Sequence, residues 1–177
     1  TSGVTVNLSL TTAQNTGGAG SDTISLVENI TGSNYNDTLT GNTGSNTLHG
    51  GGGHDTLMGG NGNDVLYGDI GNDVLYGQGG SDTFAFHAGD VGSWSDTVAD
   101  FNLFEGDILD IADILDSFDP LMHLITDYVE ITDDGFNSYL KVDVDGGADN
   151  FVQIAQLNNV TGLTDEEALY NNGTLIV

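Results

Sequence analysis

The chain contains no cysteine, one proline and one basic residue, Lys141. Without cysteine it can form neither a disulfide nor a thiolate metal site. Its apolar runs are too short to span a bilayer, and no basic and apolar export signal precedes them. The opening residues Thr1 to Val4 therefore suggest a piece of a longer protein. An extracellular chain without disulfides needs another source of stability, and a bound metal is one candidate.

Acidic residues dominate what is present. Asp and Glu number 27, of which 22 are Asp, and the formal net charge is -26. Disordered acidic segments contain few aromatic residues, whereas this chain has seven Phe and six Tyr. So many carboxylates repel one another. The composition leaves open whether they form a solvated acidic surface or are neutralised by bound cations, and both alternatives disfavour nucleic acid and anionic membranes as partners.

A nine-residue repeat runs through the middle of the chain. Six units follow one another without gaps, starting at Gly32, Gly41, Gly50, Gly59, Gly68 and Gly77. Their sixth position is Asp in every unit except one, which has Asn46, and their eighth is Leu or, in the last unit, Phe84. An earlier copy, GGAGSDTIS, starts at Gly17, and we expect the insertion from Leu26 to Thr31 to shorten one turn. Such a period predicts stacked coils.

The unit has a physical logic. Glycine at positions one, two and four permits backbone conformations closed to other residues, which predicts a tight turn with carbonyls bent inward. Aspartate at position six faces those carbonyls, and the apolar eighth residue points inward from a short strand. Two units complete one coil, so successive turns stack alternately on two edges. A flexible glycine-rich linker is the alternative, and six copies in phase argue against it.

The stacked turns offer oxygen ligands only. A hard cation with six to eight oxygen ligands fits between carbonyls and two carboxylates; Mg²⁺ prefers a rigid octahedron and transition metals prefer nitrogen or sulfur. We therefore predict several bound Ca²⁺ ions. The turn at Gly41 should hold the weakest ion, or none, because Asn46 replaces aspartate there.

The stacking order predicts which acids share an ion. One edge should hold the turns at Gly17, Gly32, Gly50 and Gly68, and the other those at Gly41, Gly59 and Gly77. The predicted sharing pairs are Asp22 with Asp37, Asp37 with Asp55, Asp55 with Asp73, and Asp64 with Asp82. After the array, Asp96 should lie over the Gly68 turn and Asp107 over the Gly77 turn, unless both are ordinary surface acids. The predicted ligands are Gly17, Ala19, Asp22, Gly32, Asn34, Asp37, Gly50, Gly51, Gly52, Gly53, Asp55, Gly59, Gly60, Asn61, Gly62, Asp64, Gly68, Asp69, Ile70, Gly71, Asp73, Gly77, Gly79, Asp82, Asp96 and Asp107.

The nonapeptides at residues 17–25 and 32–85 closely resemble those of the repeats-in-toxin (RTX) family, which is exported by type I secretion. This resemblance implies an all-β fold, a right-handed parallel β-roll. Residues from about 83 to 177, with DTVADFNLFEGDILDIADIL and a terminal GTLIV, look like the C-terminal region of type I substrates, most of all large bacterial surface adhesins. The resemblance implies a secreted or cell-surface bacterial protein that contacts the type I machinery during export.

The chain divides into three parts by pattern: an N-terminal coil at 1–31, the tandem repeats at 32–85, and a mixed cap of hairpins and short helices at 86–177. In the last part, alternation predicts antiparallel strands at 128–132, 139–144 and 151–155. A strand followed by a helix is predicted at 107–115, and a Thr164–Glu167 capping box should open a short helix. This part should cover the open end of the roll.

Two further details of the last part are predicted. Its cap aromatics should be Phe86, Trp94, Phe101 and Phe104. The segment from Asp143 through Asp145 to Asp149 alternates acids like a calcium loop, although a solvated turn fits its hairpin position as well.

No catalytic motif is visible. His49, His54, His87 and His123 form no HExxH, and there is no GxSxG. We therefore expect a calcium-binding module and no enzyme. Its expected partners are calcium and the secretion machinery, and we expect a monomer without membrane insertion. The alternatives are the calcium module of a secreted protease, lipase or epimerase, or an ice- or carbohydrate-binding roll.

Overall fold

Short strands separated by tight turns make up most of the molecule. The computed structural model describes residues 2–17, 20–92, 94–115, 118–120, 122–147 and 150–177. The strands are β1 Thr5–Asn7, β2 Gln14–Asn15, β3 Ser21–Asp22, β4 Asn29–Thr31, β5 Thr38–Thr40, β6 Thr47–His49, β7 Thr56–Asn61, β8 Val65–Tyr67, β9 Val74–Gly79, β10 Thr83–Ala85, β11 Asp96–Val98, β12 Ile108–Asp110, β13 Val129–Asp133, β14 Ser138–Val142, β15 Val152–Leu157 and β16 Leu175–Ile176. Two 3₁₀ turns, Ala88–Asp90 and Ile125–Asp127, and one helix, α1 Glu166–Asn172, complete the described part.

Alternate repeats contribute to two sheets. The first sheet has the order β1-β5-β7-β9-β11-β15-β14-β13, and the second has the order β16-β12-β10-β8-β6-β4. Within the repeats every pairing is parallel, with Leu39 beside Leu57 in the first sheet and Leu48 beside Leu66 in the second. The predicted parallel β-roll is therefore confirmed.

The eighth-position side chains form the core between the sheets. Leu39, Leu48, Leu57, Leu66, Leu75 and Phe84 are all 0% exposed. Val98 and Leu109 continue the two rows after the array and are equally buried. Each such side chain stabilises the roll by about 1.5–3 kcal/mol relative to solvent exposure, before the cost of ordering the chain. Because each coil is thin, this core is a double row of single side chains.

The first coil differs from the prediction. Strand β1, and not the Gly17 repeat, stacks against β5, with Val6 beside Leu39. The segment Leu26 to Thr31, predicted to shorten a turn, instead supplies β4, and Ile30 lies beside Leu48. The Gly17 repeat enters a separate antiparallel ribbon in which β3 pairs with β2. The predicted stacking of the Gly17 turn on the Gly32 turn is therefore wrong, because β1 already occupies that place.

The side chain of Gln14 binds the backbone of β1. Gln14 Oε1 accepts a hydrogen bond of 2.8 Å from the backbone N–H of Asn7, and Gln14 Nε2 donates one of 2.8 Å to the carbonyl of the same residue. Both polar groups of one edge residue are thus satisfied by one amide, as a neighbouring strand would satisfy them. Gln14 is itself buried by this contact.

The C-terminal part extends both sheets. Strand β15 lies parallel to β11, and β14 and β13 follow it as antiparallel strands. Strand β16 lies parallel to β12, and α1 contacts both β16 and β13, the last strands of the two sheets. The three predicted antiparallel strands are confirmed. No described helix is long and apolar enough to cross a membrane.

Three local predictions in the cap need correction. After β12 the chain makes a single turn in which Leu115 N–H donates to Ile111 O, and not the predicted helix. Asp165, and not Thr164, caps α1, because its carboxylate accepts the N–H of Ala168 at 2.9 Å. Phe104, predicted to be a cap aromatic, is fully exposed and covers nothing, whereas Phe86 and Phe101 lie in the core.

Candidate metal sites

One hydrogen bond repeats along two columns of sixth-position side chains. The first column contains Asp37, Asp55, Asp73 and Asp96, and the second contains Asn46, Asp64, Asp82 and Asp107. The backbone N–H of each member donates to Oδ1 of the member one coil further on, at 2.7, 2.7 and 2.9 Å in the first column and 2.7, 2.9 and 3.0 Å in the second. This bond fixes the orientation of each carboxylate and uses only one of its oxygens.

In five of the column carboxylates the second oxygen has no hydrogen-bond partner. The oxygens concerned are buried and are Oδ2 of Asp55, Asp64, Asp73, Asp82 and Asp96. A buried unpaired carboxylate oxygen is costly, and native structures leave such groups without a partner only for a reason. The chain supplies no counter-charge, because its single basic residue, Lys141, pairs with Glu130 at 2.6 Å. These oxygens therefore need a cation or protons from outside.

Further oxygens face the same space beside the first glycine of a unit. A β carbon on Gly50 would lie 2.5 Å from Asp55 Oδ2 and 2.5 Å from the carbonyl oxygen of Gly68. A β carbon on Gly68 would lie 2.7 Å from Oδ2 of both Asp73 and Asp96. Position one is therefore glycine because oxygens crowd its α carbon. The predicted reason, an unusual backbone conformation, holds instead at positions two and four, where Gly51 and Gly53 have φ of 96° and 133°.

Three of the four column ends are already satisfied by the protein, Asp96 being the exception. Both oxygens of Asp37 accept bonds, from Val4 N–H at 2.6 Å and from Ser33 N–H at 2.5 Å. Asp107 Oδ2 accepts the N–H of Asn102 at 2.8 Å. At Asn46 the side-chain amide donates to the carbonyl of Glu28 at 3.2 Å. The open ligand positions therefore lie in the interior of each column and at Asp96, the last member of the first column.

Burial raises the pKa of six of the column carboxyls. It is the largest cause of the rise for each, and a backbone hydrogen bond opposes it; at Asp55, Asp73, Asp82 and Asp96 neighbouring acids of the column add to the rise. The pKa of Asp55 rises to about 6, that of Asp73 to about 7, that of Asp82 to about 6 and that of Asp96 to about 8. Burial also raises the pKa of Asp64 and Asp107. In the absence of a cation, protons are the only available means of neutralising these groups.

The donor set fits a hard cation. Within the described ranges, no group of three or more His, Cys, Asp or Glu side chains is placed to hold a metal. A site here must therefore combine one or two carboxylates with backbone carbonyls, and Ca²⁺ accepts six to eight such oxygens. Asp55, Asp64, Asp73, Asp82 and Asp96 would hold the ion through Oδ2. An ion would supply the positive charge that these buried oxygens lack.

Most of the predicted ligands come together in these turns. Asp96 lies over Asp73 and Asp107 over Asp82, as the sequence predicts. The remaining turn residues of the array also stack, with Gly52 beside Ile70, Gly60 beside Gln78 and Asn61 beside Gly79. Their role as ligands stays a prediction.

Other predicted ligands do not join the columns. Asp22 is exposed, and its Oδ2 accepts the hydroxyl of Thr16 at 2.7 Å, so the predicted sharing of an ion with Asp37 is wrong. Gly17 lies in the same ribbon segment, and Ala19 lies outside the described residues. The side chain of Asp69 accepts the N–H of Gly51 at 3.1 Å and so supports a turn. In the C-terminal loop Asp143 Oδ1 accepts the N–H of Asp145 at 3.2 Å, while Asp149 is outside the described residues.

Sequence reasoning missed one acid and a set of polar side chains that order the turns. Asp100 accepts the N–H groups of Gly77 and Gln78 at 2.9 and 3.0 Å. The fifth-position side chains, next in sequence to the acid columns, also bond from coil to coil, as when His54 N–H donates to Asn36 Oδ1 at 2.9 Å. The sequence signal that could have revealed this contact is that every fifth-position residue is polar.

Stacked glycine turns, inward leucines and unpaired buried carboxylates define a parallel β-roll of the calcium-binding kind. The model of the RTX calcium-binding nonapeptide repeat matches residues 31–66 and 58–90. Of 29 matching chains of solved structures, one is the solution structure of the AlgE6R3 subunit from the Azotobacter vinelandii mannuronan C5-epimerase. It is 30% identical, the match covers 83% of this chain and 81% of that one, and the TM-score is 0.56. The chain belongs to the RTX family of calcium-binding nonapeptide-repeat proteins. No curated protein sequence matches it.

Proposed function

We propose that this chain is a calcium-triggered folding module of a secreted protein. The observation that carries the proposal is the set of five buried carboxylate oxygens without hydrogen-bond partners, in a chain of formal net charge -26. A roll in this state is complete only when cations lie between its turns. The proposal assigns calcium binding to this chain and no catalysis.

The free energy of calcium binding is large enough to shift the equilibrium between the unfolded and the folded chain. Without ions, neighbouring carboxylates repel by about 1 kcal/mol at 4 Å in water, and more strongly when buried. The thin core must also offset a backbone ordering cost of about 1–2 kcal/mol per residue. Sites of extracellular type have dissociation constants of about 10⁻⁴ to 10⁻³ M, so millimolar calcium fills them and adds on the order of 1 kcal/mol each. Several such sites are enough to fold a marginal domain.

This dependence suits export through a narrow channel. Cytosolic calcium is too dilute to fill sites of this affinity, so the chain would stay unfolded and transportable until it reaches the calcium outside. The resemblance of residues 83–177 to the end of type I secretion substrates supports this route. We propose a bacterial surface adhesin as the parent protein, on the strength of the same resemblance.

The second candidate for the parent is a secreted enzyme. The observation in its favour is the 30% identity to a subunit of a mannuronan C5-epimerase over most of both chains. In that case this chain would serve as the calcium module beside a catalytic domain. The sequence upstream in the parent protein distinguishes the two, because an adhesin would carry repeated extracellular domains and an enzyme a catalytic one.

Far-UV circular dichroism during a calcium titration tests the proposal. We expect little β structure in chelator and a cooperative gain as calcium rises into the millimolar range. Magnesium at the same concentrations should give little change, because its rigid octahedral shell suits these sites poorly. A β spectrum that is the same in chelator and in calcium would refute calcium-triggered folding.

A further inference from the structure

A second column of side chains runs beside the first acid column. It is made by the fifth-position residues, which we name the outer column: Asn36, His54, Asn72 and Ser95. His54 N–H donates to Asn36 Oδ1 at 2.9 Å, Asn72 N–H donates to His54 Nδ1 at 3.0 Å, and Ser95 N–H donates to Asn72 Oδ1 at 2.9 Å. None of these contacts needs a metal, because every link joins a backbone donor to a neutral side-chain acceptor.

The outer column continues into the cap. Gln153, on β15, donates from Nε2 to Ser95 Oγ at 2.9 Å across 58 residues of sequence. Asn72, Trp94, Ser95 and Gln153 line one shallow cleft. The contact therefore joins the turn before Asp96 to β15, the C-terminal strand that lies beside β11.

The contact between Gln153 and Ser95 lies next to a candidate calcium ligand. Ser95 directly precedes Asp96, whose Oδ2 is buried and unpaired beside Gly68. Within the array, stacked acids are 18 residues apart, as for Asp55 and Asp73, but Asp96 follows Asp73 by 23 residues. The repeat can no longer place this acid by its own period. Ser95 makes two hydrogen bonds: its N–H donates to Asn72, and its Oγ accepts from Gln153. These two bonds hold the end of the longer loop in register.

We propose that the Asn72–Ser95–Gln153 relay positions Asp96, and so couples ion binding between Asp73 and Asp96 to docking of β15. The three are positioning residues, since none of them offers a ligand through these bonds. This inference rests on the proposed function, because it concerns one of the calcium sites. Coupling of this kind is reciprocal: the docked strand favours the ion, and the ion favours the docked strand.

Trp94 provides the measurement. It is the only tryptophan of the chain and lies beside Ser95 in the same cleft. Calcium is titrated into the full chain while Trp94 fluorescence is followed, for wild type, Gln153→Ala and Gln156→Ala. Gln156 is the matched control, since it lies on the same strand but donates to Asn158 Oδ1 within the cap. Loss of one hydrogen bond should raise the calcium midpoint of Gln153→Ala about two- to tenfold and leave that of Gln156→Ala unchanged.

A second pair of variants separates positioning from general destabilisation. Asn72→Ala should raise the Trp94 midpoint, and Asn72→Ser should recover part of it, because serine fills the same position of the relay in Ser95. Hydrogen exchange supplies the reciprocal readout: calcium should slow exchange of the β15 amides in wild type and do so less in Gln153→Ala.

The outcomes are distinguishable. If wild type shows no response to calcium at all, the proposed function itself fails. If wild type responds and Gln153→Ala titrates like Gln156→Ala, or Asn72→Ser is as weak as Asn72→Ala, the relay alone is refuted. Equal calcium protection of β15 in wild type and Gln153→Ala would also refute it.

Discussion

The backbone N–H of Asp55 donates a hydrogen bond of 2.7 Å to Oδ1 of Asp73, one coil further along the roll. The same carboxylate leaves Oδ2 buried and without a partner. One side chain thus has two separable roles, since the first oxygen holds neighbouring coils together and the second is open to a cation. An amide in place of the carboxylate would keep the first role and lose the second.

The effect of Asp73→Asn on stability should therefore differ in sign between calcium and chelator. In calcium we expect the variant to be less stable than wild type by about 1–3 kcal/mol, because a charged ligand is lost. In chelator it should be as stable as wild type or more so, because a buried charge is removed while Oδ1 still accepts the Asp55 N–H. Thermal melting in calcium and the residual β signal by circular dichroism in chelator provide the measurement, and Asp127→Asn, in the cap, is the control. Destabilisation of equal size with and without calcium would contradict a ligand role.

The acid columns should give opposite pH dependences with and without calcium. The folded-state pKa values of Asp55, Asp73, Asp82 and Asp96 lie at about 6, 7, 6 and 8, against 3.8 for an unperturbed carboxyl. Without calcium the folded state therefore holds more protons than the unfolded state between about pH 4 and 8, and its stability should fall as pH rises through this window.

With calcium the ion must displace those protons, so affinity should rise as pH rises through the same window. The β signal in chelator at pH 5 and pH 8 measures the first trend, and the calcium midpoint of folding at the same two pH values measures the second. A calcium midpoint that does not move between pH 5 and pH 8 would show that the column carboxyls are already ionised and would argue against their burial.

Asn46→Asp should create a further site in the second column. Asn46 N–H already donates to Asp64 Oδ1 at 2.7 Å, so the new carboxylate would stand one coil from an acid, as in the rest of the column. We expect one additional calcium ion by isothermal titration calorimetry and a lower calcium concentration at the folding midpoint. Asn63→Asp adds the same charge on the same edge outside the column and should add no ion. An unchanged stoichiometry in Asn46→Asp would show that the neighbouring turn, with Thr43 and Gly44, cannot serve as a cradle.

Gly59→Ala should raise the calcium midpoint of folding, whereas Gly89→Ala should leave it unchanged. A β carbon on Gly59 would run into the carboxylate of Asp64, whereas one on Gly89 would meet nothing within 4 Å. The alanine would push the carboxylate away from the turn, so we expect a calcium midpoint raised at least severalfold. Circular dichroism during calcium titration of both variants measures this. Equal midpoints would mean that the Gly59 turn holds no ion.

The repeat array could be predicted because its signals are local and periodic. Spacing alone placed Leu57 in the core and Asp55 under Asp73. Asp96 and Asp107 follow their partners by 23 and 25 residues, and it was the retained Asp-x-apolar half of the motif that led to them. The prediction that the Gly17 turn stacks on the Gly32 turn was wrong because a motif match does not show which segment pairs with the first strand of the array. Counting back 18 residues, the separation of Asn46 and Glu28, would have led from Leu48 to Ile30 and revealed β4. Gln14 and Gln153 gave no signal, because their roles depend on contacts distant in sequence.

The amide of Gln14 has a consequence for assembly. A ladder of identical rungs is by nature a template, and each unpaired rung at its end invites a further strand from another molecule, which is how ordered fibres grow. By taking both the donor and the acceptor of Asn7, Gln14 leaves nothing at that residue for an incoming strand to bind. Gln14 therefore blocks one residue of the edge strand β1, and Gln14→Ala should promote end-to-end polymerisation, seen by light scattering, without affecting any acid in the columns.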